Sequence, residues 1–171
     1  MRKLTTLAFC TLFLATAALA QHGGEAKKPL SPATKAEATV KGKKITVDYS
    51  APSKRGRAIM GELVPYGKVW RTGANAATTL TTEADLMIGS LHVPAGKYTL
   101  FTIPGEKEWT LIVNKQTGQW GTNYDEKQDL GRVKLTVVPV QKPVETFNIA
   151  VGDTLAFSWD NTKAWVPVVV H

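Results

Sequence analysis

The stretch that decides the fold is Tyr98–Val113, YTLFTIPGEKEWTLIV, in which two apolar runs flank a short polar connection. Neither run, Tyr98–Ile103 nor Trp109–Val113, has a polar face. Short apolar runs bounded by turn residues are typical of strands that are buried on both sides. The sequence therefore predicts two central strands of a sheet, joined by a turn at Pro104-Gly105.

On both sides of this pair, apolar residues alternate with polar ones. The pattern holds over Ile45–Tyr49, Val133–Val137 and Leu155–Trp159. Period-two alternation places one set of side chains on a buried face and the other toward solvent. The whole pattern predicts an all-β protein, with a single antiparallel β-sandwich or a related barrel of about 8–10 strands.

The predicted strands are separated by residues that favour turns. Lys41-Gly42 lies between the first two strands, and Asp160-Asn161 is predicted to be the turn of the last hairpin. Only Ala58–Leu63 has a composition that fits one helical turn.

The N-terminus has the three-part layout of a secretory signal peptide. Arg2 and Lys3 precede an apolar run that ends in the small-x-small pattern Ala18-Leu19-Ala20. This run is shorter than the ~20 apolar residues that span a bilayer. We therefore predict a signal peptide over residues 1–20 and cleavage between Ala20 and Gln21. The mature protein is then exported to the periplasm or the medium and has no membrane span.

Cleavage would remove Cys10, the chain's only cysteine, and would lower the formal charge from +7 to about +5. A domain of this size can be stable on its hydrophobic core without disulfides. We expect a flexible leader over residues 21–34 and one domain over residues 35–171.

The excess positive charge favours anionic partners, although it also fits a basic surface that serves solubility alone. Outside the cytoplasm the expected partner is an anionic or glycan component of the envelope, and not nucleic acid. The sequence leaves the oligomeric state open.

A long connection, residues 51–77, lies between the second and third predicted strands. Connections of this length are usually functional or disordered. Apolar residues such as Ile59, Leu63 and Val64 need burial, which argues against disorder. We expect one long ordered loop that packs over an end or a face of the sheet.

This loop carries most of the predicted ligand-binding site. Trp70, Arg71 and Asn75 combine an aromatic plane, a forked cation and an amide, and an arginine fork binds carboxylate, phosphate or sulfate groups. The predicted site consists of Asp48, Arg55, Arg57, Trp70, Arg71 and Asn75. In the structural alternative, Trp70 belongs to the core, while Arg71 and Asn75 satisfy loop carbonyls or Arg71 pairs with Asp48 or Glu62.

The five tryptophans bear on a glycan-binding role, because aromatic faces stack on sugar rings. Trp109 and Trp159 fall on predicted core faces. Trp120 lies in a polar loop and is predicted to be exposed, and Trp165 is ambiguous.

The sequence contains none of the common catalytic or metal-binding motifs, such as Gly-x-Ser-x-Gly, His-Glu-x-x-His or paired cysteines. The three histidines, at positions 22, 92 and 171, do not form a cluster in the sequence. We predict no catalytic residue, no metal and no cofactor.

Three stretches, in this order along the sequence, resemble a known family. VPYGKVWRTGAN at residues 64–75, PAGKYTLFTIPG at 94–105 and EWT at 108–110 are similar to a bacterial exported family catalogued only as a domain of unknown function. The resemblance runs from about Ser31 to the C-terminus, and it implies an exported β domain without implying a reaction. The family's loop usually carries a glutamate directly after the asparagine, where this chain has Ala76. This departure disfavours a catalytic carboxylate there and affects a binding role less.

Three functions remain open at this point. We favour a binding or interaction module for an anionic or glycan envelope ligand. The alternatives are a hydrolase that uses carboxylates such as Asp48 or Glu62, and a structural envelope protein.

Overall fold

The computed structural model describes residues 29–171. The predicted signal peptide and residues 21–28 of the predicted leader lie outside the described residues. Within the described part of the chain, no helix is long and apolar enough to cross a membrane.

Residues 29–171 form nine strands and one short 3₁₀ turn, Glu126–Gln128. The strands are β1 (Ala33–Val40), β2 (Lys43–Ser50), β3 (Thr78–Thr82), β4 (Leu86–Ile88), β5 (Leu91–Val93), β6 (Gly96–Ile103), β7 (Glu108–Asn114), β8 (Asp129–Val151) and β9 (Thr154–Val170).

The nine strands belong to one antiparallel sheet in the order β1-β2-β3-β6-β7-β8-β9-β4-β5. The sheet folds over so that distant strands share a core. Tyr49 of β2 contacts Phe147 of β8 with ring centroids 5.8 Å apart, and its hydroxyl accepts a hydrogen bond from the Ile149 backbone N–H at 3.2 Å. The prediction of a sandwich-like all-β fold is confirmed. The barrel alternative is not observed, because β1 and β5 remain the two edges of the sheet.

The pair of strands that decides the fold lies at the centre of this sheet. Leu100 of β6 and Leu111 of β7 are fully buried in the main core. Phe101 faces away from that core and packs edge-on against Tyr124 at 4.9 Å. The prediction of two central strands buried on both sides is therefore confirmed.

The alternating pattern also produces the β1–β2 hairpin. Lys41 and Gly42 both have positive φ, 50° and 74°, as the tight turn between two twisted strands requires. Ile45, Val47 and Tyr49 point into the core, whereas Asp48 is exposed.

Two local predictions are wrong. No hairpin turn forms at Asp160-Asn161, because β9 runs continuously through them. Asp160 has a left-handed backbone with φ of 52°, and the register between β8 and β9 shifts between Pro139 and Val144. The residue types that favour turns also favour bulges, so an irregularity in strand pairing takes the place of the predicted turn.

The predicted helical turn at Ala58–Leu63 is likewise absent. The backbone N–H of Val64 donates to Ile59 O at 2.9 Å, and Gly61 N–H donates to Val64 O at 2.9 Å. Gly61 has φ of 86°, which reverses the chain within one tight turn and prevents a helical path.

Candidate functional site

The long loop, residues 51–77, is ordered and is tied to two strands. Trp70 and Thr102 of β6 exchange two backbone hydrogen bonds of 2.7 and 2.9 Å. On the other side, Phe147 N–H of β8 donates to Pro52 O at 2.8 Å. These bonds satisfy backbone groups that a long connection would otherwise leave without partners.

Trp70 packs on the aromatic part of the core. Its ring stacks on Trp159 at 5.9 Å with an interplanar angle of 14°, and meets Phe147 and Trp109 edge-on at 5.0 and 6.2 Å. The indole is nevertheless only partly buried, and it lines an open cleft. Trp70 therefore packs on the core, as the structural alternative proposed, and also lines the cleft, while its role in ligand binding stays a prediction.

The cleft beside Trp70 has a volume of about 310 Å³. Five of the six predicted site residues line it: Arg55, Arg57, Trp70, Arg71 and Asn75. The remaining described lining comes from Leu30-Ser31, from apolar and small residues of the loop, and from Trp159. No carboxylate is among these described lining residues, although Glu145 Oε1 outside the lining accepts from the backbone N–H of Arg55 at 2.8 Å.

Asp48 does not line the cleft. Its neighbours Val47 and Tyr49 face the core, so strand alternation turns Asp48 outward. There it pairs with Lys35 of β1 at 3.7 Å, with both side chains 54 % exposed. Glu62 is also exposed and outside the lining.

Three polar side chains of the cleft bond backbone carbonyls. Arg55 donates to Leu30 O, and Asn75 Nδ2 donates to Ser31 O at 3.4 Å. Arg57 donates from Nε to Lys54 O at 2.9 Å and from a terminal nitrogen to Ser53 O at 2.7 Å. These contacts match the kind of carbonyl bonding that the structural alternative proposed for Asn75. They also orient the two arginines at the rim.

Arg71 differs from its neighbours. Its guanidinium has no hydrogen-bond or ion-pair partner within residues 29–171, and its nitrogens are not among the buried atoms that lack a partner. The charge is therefore neither neutralised nor fully buried by the described residues. By contrast, Arg132 is bonded to Asp129, Glu126 and Tyr124. Among the described residues, neither Asp48 nor Glu62 forms the ion pair with Arg71 that the structural alternative allowed.

The stem of Arg71 rests on the backbone of Gly121. A Cβ at position 121 would lie 2.5 Å from Arg71 Cδ and 3.0 Å from its Cβ. The same segment braces the loop, since Gly121 N–H donates to Asn75 O at 3.1 Å and Ala76 pairs with Trp120. Reasoning from the sequence did not assign Gly121 to the site.

A second depression, of about 240 Å³, adjoins the cleft. It is lined by Val69, Trp70, Arg71, Gly121, Thr122 and Tyr124. Trp70 and Arg71 line both depressions.

Tyr124 is fixed at the wall of this second depression. Its hydroxyl donates to Asp129 Oδ2 at 2.8 Å and accepts from Arg132 at 2.8 Å. Burial, followed by the hydrogen bond to Asp129, raises the pKa of Tyr124 to about 12. The phenol therefore stays protonated at neutral pH.

The loop contains three non-glycine residues with left-handed backbones: Arg55, Thr72 and Asn75, with φ of 50°, 54° and 58°. Thr72 is held on both sides. Its hydroxyl lies 3.1 Å from Thr102 Oγ1 and 3.3 Å from Trp70 O, and its carbonyl accepts from Thr78 Oγ1 at 2.8 Å. Such conformations cost energy and persist where the surroundings fix them.

The other tryptophans follow the sequence-based expectations. Trp109 and Trp159 are each 2 % exposed, whereas Trp120 is 53 % exposed. Trp165, left ambiguous, is partly buried in β9.

His92 lies outside the cleft and pairs with Asp85 at 3.0 Å. A hydrogen bond from Ala95 N–H, followed by that from His92, lowers the pKa of Asp85. Within residues 29–171, no group of three His, Cys, Asp or Glu residues is placed to hold a metal ion.

The model of one protein family, described as a protein of unknown function (DUF2911), matches residues 31–168. The chain belongs to the DUF2911 family. The resemblance to a domain of unknown function is thereby confirmed at the level of the family. No curated protein and no solved structure matches the chain significantly. The DUF2911 match begins at Ser31, in the cleft wall. It contains the whole loop and the Trp120-Gly121 segment that pairs with the loop.

Proposed function

We propose that this DUF2911 protein is a binding module for an anionic group of an envelope or extracellular glycan, and that the cleft beside Trp70 is its binding site. The observation that carries the proposal is Arg71, whose guanidinium bonds no described residue and which lines the cleft together with two further arginines and no acidic group in the described lining. A carboxylate, phosphate or sulfate would accept two parallel hydrogen bonds from such a fork.

The proposed location supports this choice of ligand. We propose that the signal peptide over residues 1–20 directs the protein to the periplasm or the medium, where acidic glycans are available and nucleic acid is not. The basic charge of the chain would attract such ligands.

The composition of the cleft favours binding over catalysis. A carboxylate-dependent hydrolase needs a matched pair of acids near its substrate. The described lining of the cleft contains no Asp, Glu, His or Cys, and neither Asp48 nor Glu62 reaches it. A bound anion would therefore meet donors but no general base of these types.

A second candidate function is contact with another envelope protein. Leu63, Val69 and Trp120 are 46 %, 41 % and 53 % exposed, and they lie in or next to the two depressions. Exposed apolar and aromatic side chains of this kind are enriched at protein interfaces. Co-purification of a partner from the native envelope would support this role, and purification of the chain alone would count against it.

The binding proposal is tested by calorimetric titration of residues 21–171 with glucuronic acid and with inorganic phosphate at low and high salt. We expect saturable binding that weakens as salt rises, because the contact is electrostatic. Arg71→Ala should weaken binding at least about tenfold, which corresponds to ~1.4 kcal/mol.

The control is Lys35→Ala, which removes the same charge on the exposed face of β1. If neither probe binds, or if both variants lose the same affinity, the cleft is not an anion site.

A further inference from the structure

We infer that the ligand is an acidic oligosaccharide whose anionic group lies at Arg71 while a neighbouring uncharged sugar ring occupies the second depression. This inference rests on the proposed function of the cleft, and it adds the class and the minimum length of the ligand. It assigns to Val69, Thr122 and Tyr124 a second subsite.

The cleft and the second depression share part of their walls. Trp70 and Arg71 line both depressions, so a ligand that contacts Arg71 has part of the wall of each depression beside it. Small-molecule sites in proteins usually measure ~300–1,000 Å³. The cleft, at about 310 Å³, is at the lower end of that range, and the second depression, at about 240 Å³, is below it. The cleft can therefore hold a single small unit, and a longer ligand would extend into the second depression.

The described lining of the second depression is mostly uncharged. Arg71 is the only charged residue in the described lining of the second depression. The rest offers apolar surface from Val69 and the Tyr124 ring, the Thr122 hydroxyl, and the Gly121 backbone. This combination suits the mixed apolar and hydroxyl surface of a sugar ring. It does not suit polyphosphate or an acidic peptide, because each carries a charge on every unit. The charged unit in the second depression would lose its hydration without gaining a partner.

The test compares three probes on residues 21–171: glucuronic acid, a hyaluronan tetrasaccharide in which glucuronate alternates with uncharged N-acetylglucosamine, and triglutamate. We expect the tetrasaccharide to bind about tenfold or more tightly than glucuronic acid, because the second ring adds contacts without a second loss of translational freedom. Triglutamate should bind no more tightly than glucuronic acid.

The key variant is Thr122→Trp, which fills the second depression from an exposed position. It should remove the tetrasaccharide's advantage, so that the tetrasaccharide binds no more tightly than glucuronic acid. The matched control is Thr117→Trp, since Thr117 is exposed in the same connection and lines neither depression. Val69→Ala, a smaller change in the same wall, should weaken tetrasaccharide binding severalfold more than it weakens glucuronic acid binding.

The outcomes separate the two proposals. If glucuronic acid binds but the tetrasaccharide binds no more tightly, or if Thr122→Trp weakens both probes equally, the second subsite is refuted while the cleft remains an anion site. If triglutamate gains as much as the tetrasaccharide, the sugar assignment is wrong. If none of the three probes binds, the proposed function itself fails.

Discussion

Arg71 and Gly121, fifty positions apart in the sequence, are in such close contact that a single added carbon cannot fit between them. The absence of a side chain at position 121 lets the stem of Arg71 lie flat on the backbone. The segment that supports Arg71 is also bonded to Asn75 and Ala76. The position of the Arg71 guanidinium is therefore set jointly by its own loop and by the connection after β7.

Gly121→Ala should displace Arg71 and destabilise the fold by about 1–3 kcal/mol, the usual cost of overpacking. The new Cβ would lie 2.5 Å from Arg71 Cδ and 2.7 Å from Asn75 O. Thermal unfolding and anion titration measure the two effects. The matched control is Gly152→Ala, where an added Cβ meets nothing within 4 Å. Equal unfolding midpoints for the two variants would contradict the assigned contact.

Arg71→Gln and Arg132→Gln should have opposite effects. Arg71 bonds no described residue, so its replacement should change the free energy of unfolding by less than about 0.5 kcal/mol while it weakens anion binding. Arg132 bonds Asp129, Glu126 and Tyr124, so its replacement should cost roughly 1–2 kcal/mol of stability and leave binding intact. Chemical denaturation of both variants checks this. A large stability loss for Arg71→Gln would mean that its role is structural.

The ion pair between Lys54 and Asp160 should contribute more to stability than the pair between Lys35 and Asp48. The first pair is largely shielded, with side chains 20 % and 15 % exposed, whereas both members of the second are 54 % exposed. Lys54→Met should destabilise the protein by roughly 1–3 kcal/mol, because Asp160 is left partly buried without its partner. Lys35→Met should cost at most about 0.5 kcal/mol. Denaturant midpoints of the two variants, compared side by side, decide the point.

The pKa of Tyr124, raised to about 12 from its ordinary value of 10.0, predicts a loss of stability at alkaline pH. The folded state holds this proton more tightly than the unfolded state, so the contribution is fully present below pH 10 and is lost as the pH rises through 12. An ultraviolet titration of tyrosinate should show one tyrosine that ionises near pH 12. Tyr124→Phe should remove it, and Tyr66→Phe, at an exposed position, should leave it in place. A titration that is unchanged in Tyr124→Phe would refute the assignment.

The parts of the fold that could be predicted are those that local pattern determines. The alternation over Ile45–Tyr49 and the apolar runs of β6 and β7 survive in the structure, because burial on one or two faces leaves a direct trace in residue type. The break at Asp160-Asn161 could not be predicted. The turn-favouring residues there lie at a shift in the register between β9 and β8, and that shift depends on the partner strand β8.

The site shows the same division. Arg55, Arg57, Trp70, Arg71 and Asn75 converge because one loop carries them all, so their proximity in the sequence was informative. Asp48 was wrongly expected nearby, because one step of strand alternation sends it to the opposite side. Leu30-Ser31 and Gly121 reach the cleft through tertiary contacts, which the local sequence does not reveal.

The three left-handed residues of the loop have a consequence for the kinetics of ligand capture. Each left-handed residue raises the conformational free energy by about 1–3 kcal/mol. In the folded protein this is offset by hydrogen bonds such as those at Thr72. A ligand that binds Arg71 therefore does not have to order this loop, so binding loses no conformational entropy for that step. Association should accordingly be limited by diffusion and long-range attraction, so that ionic strength changes the on-rate far more than the off-rate.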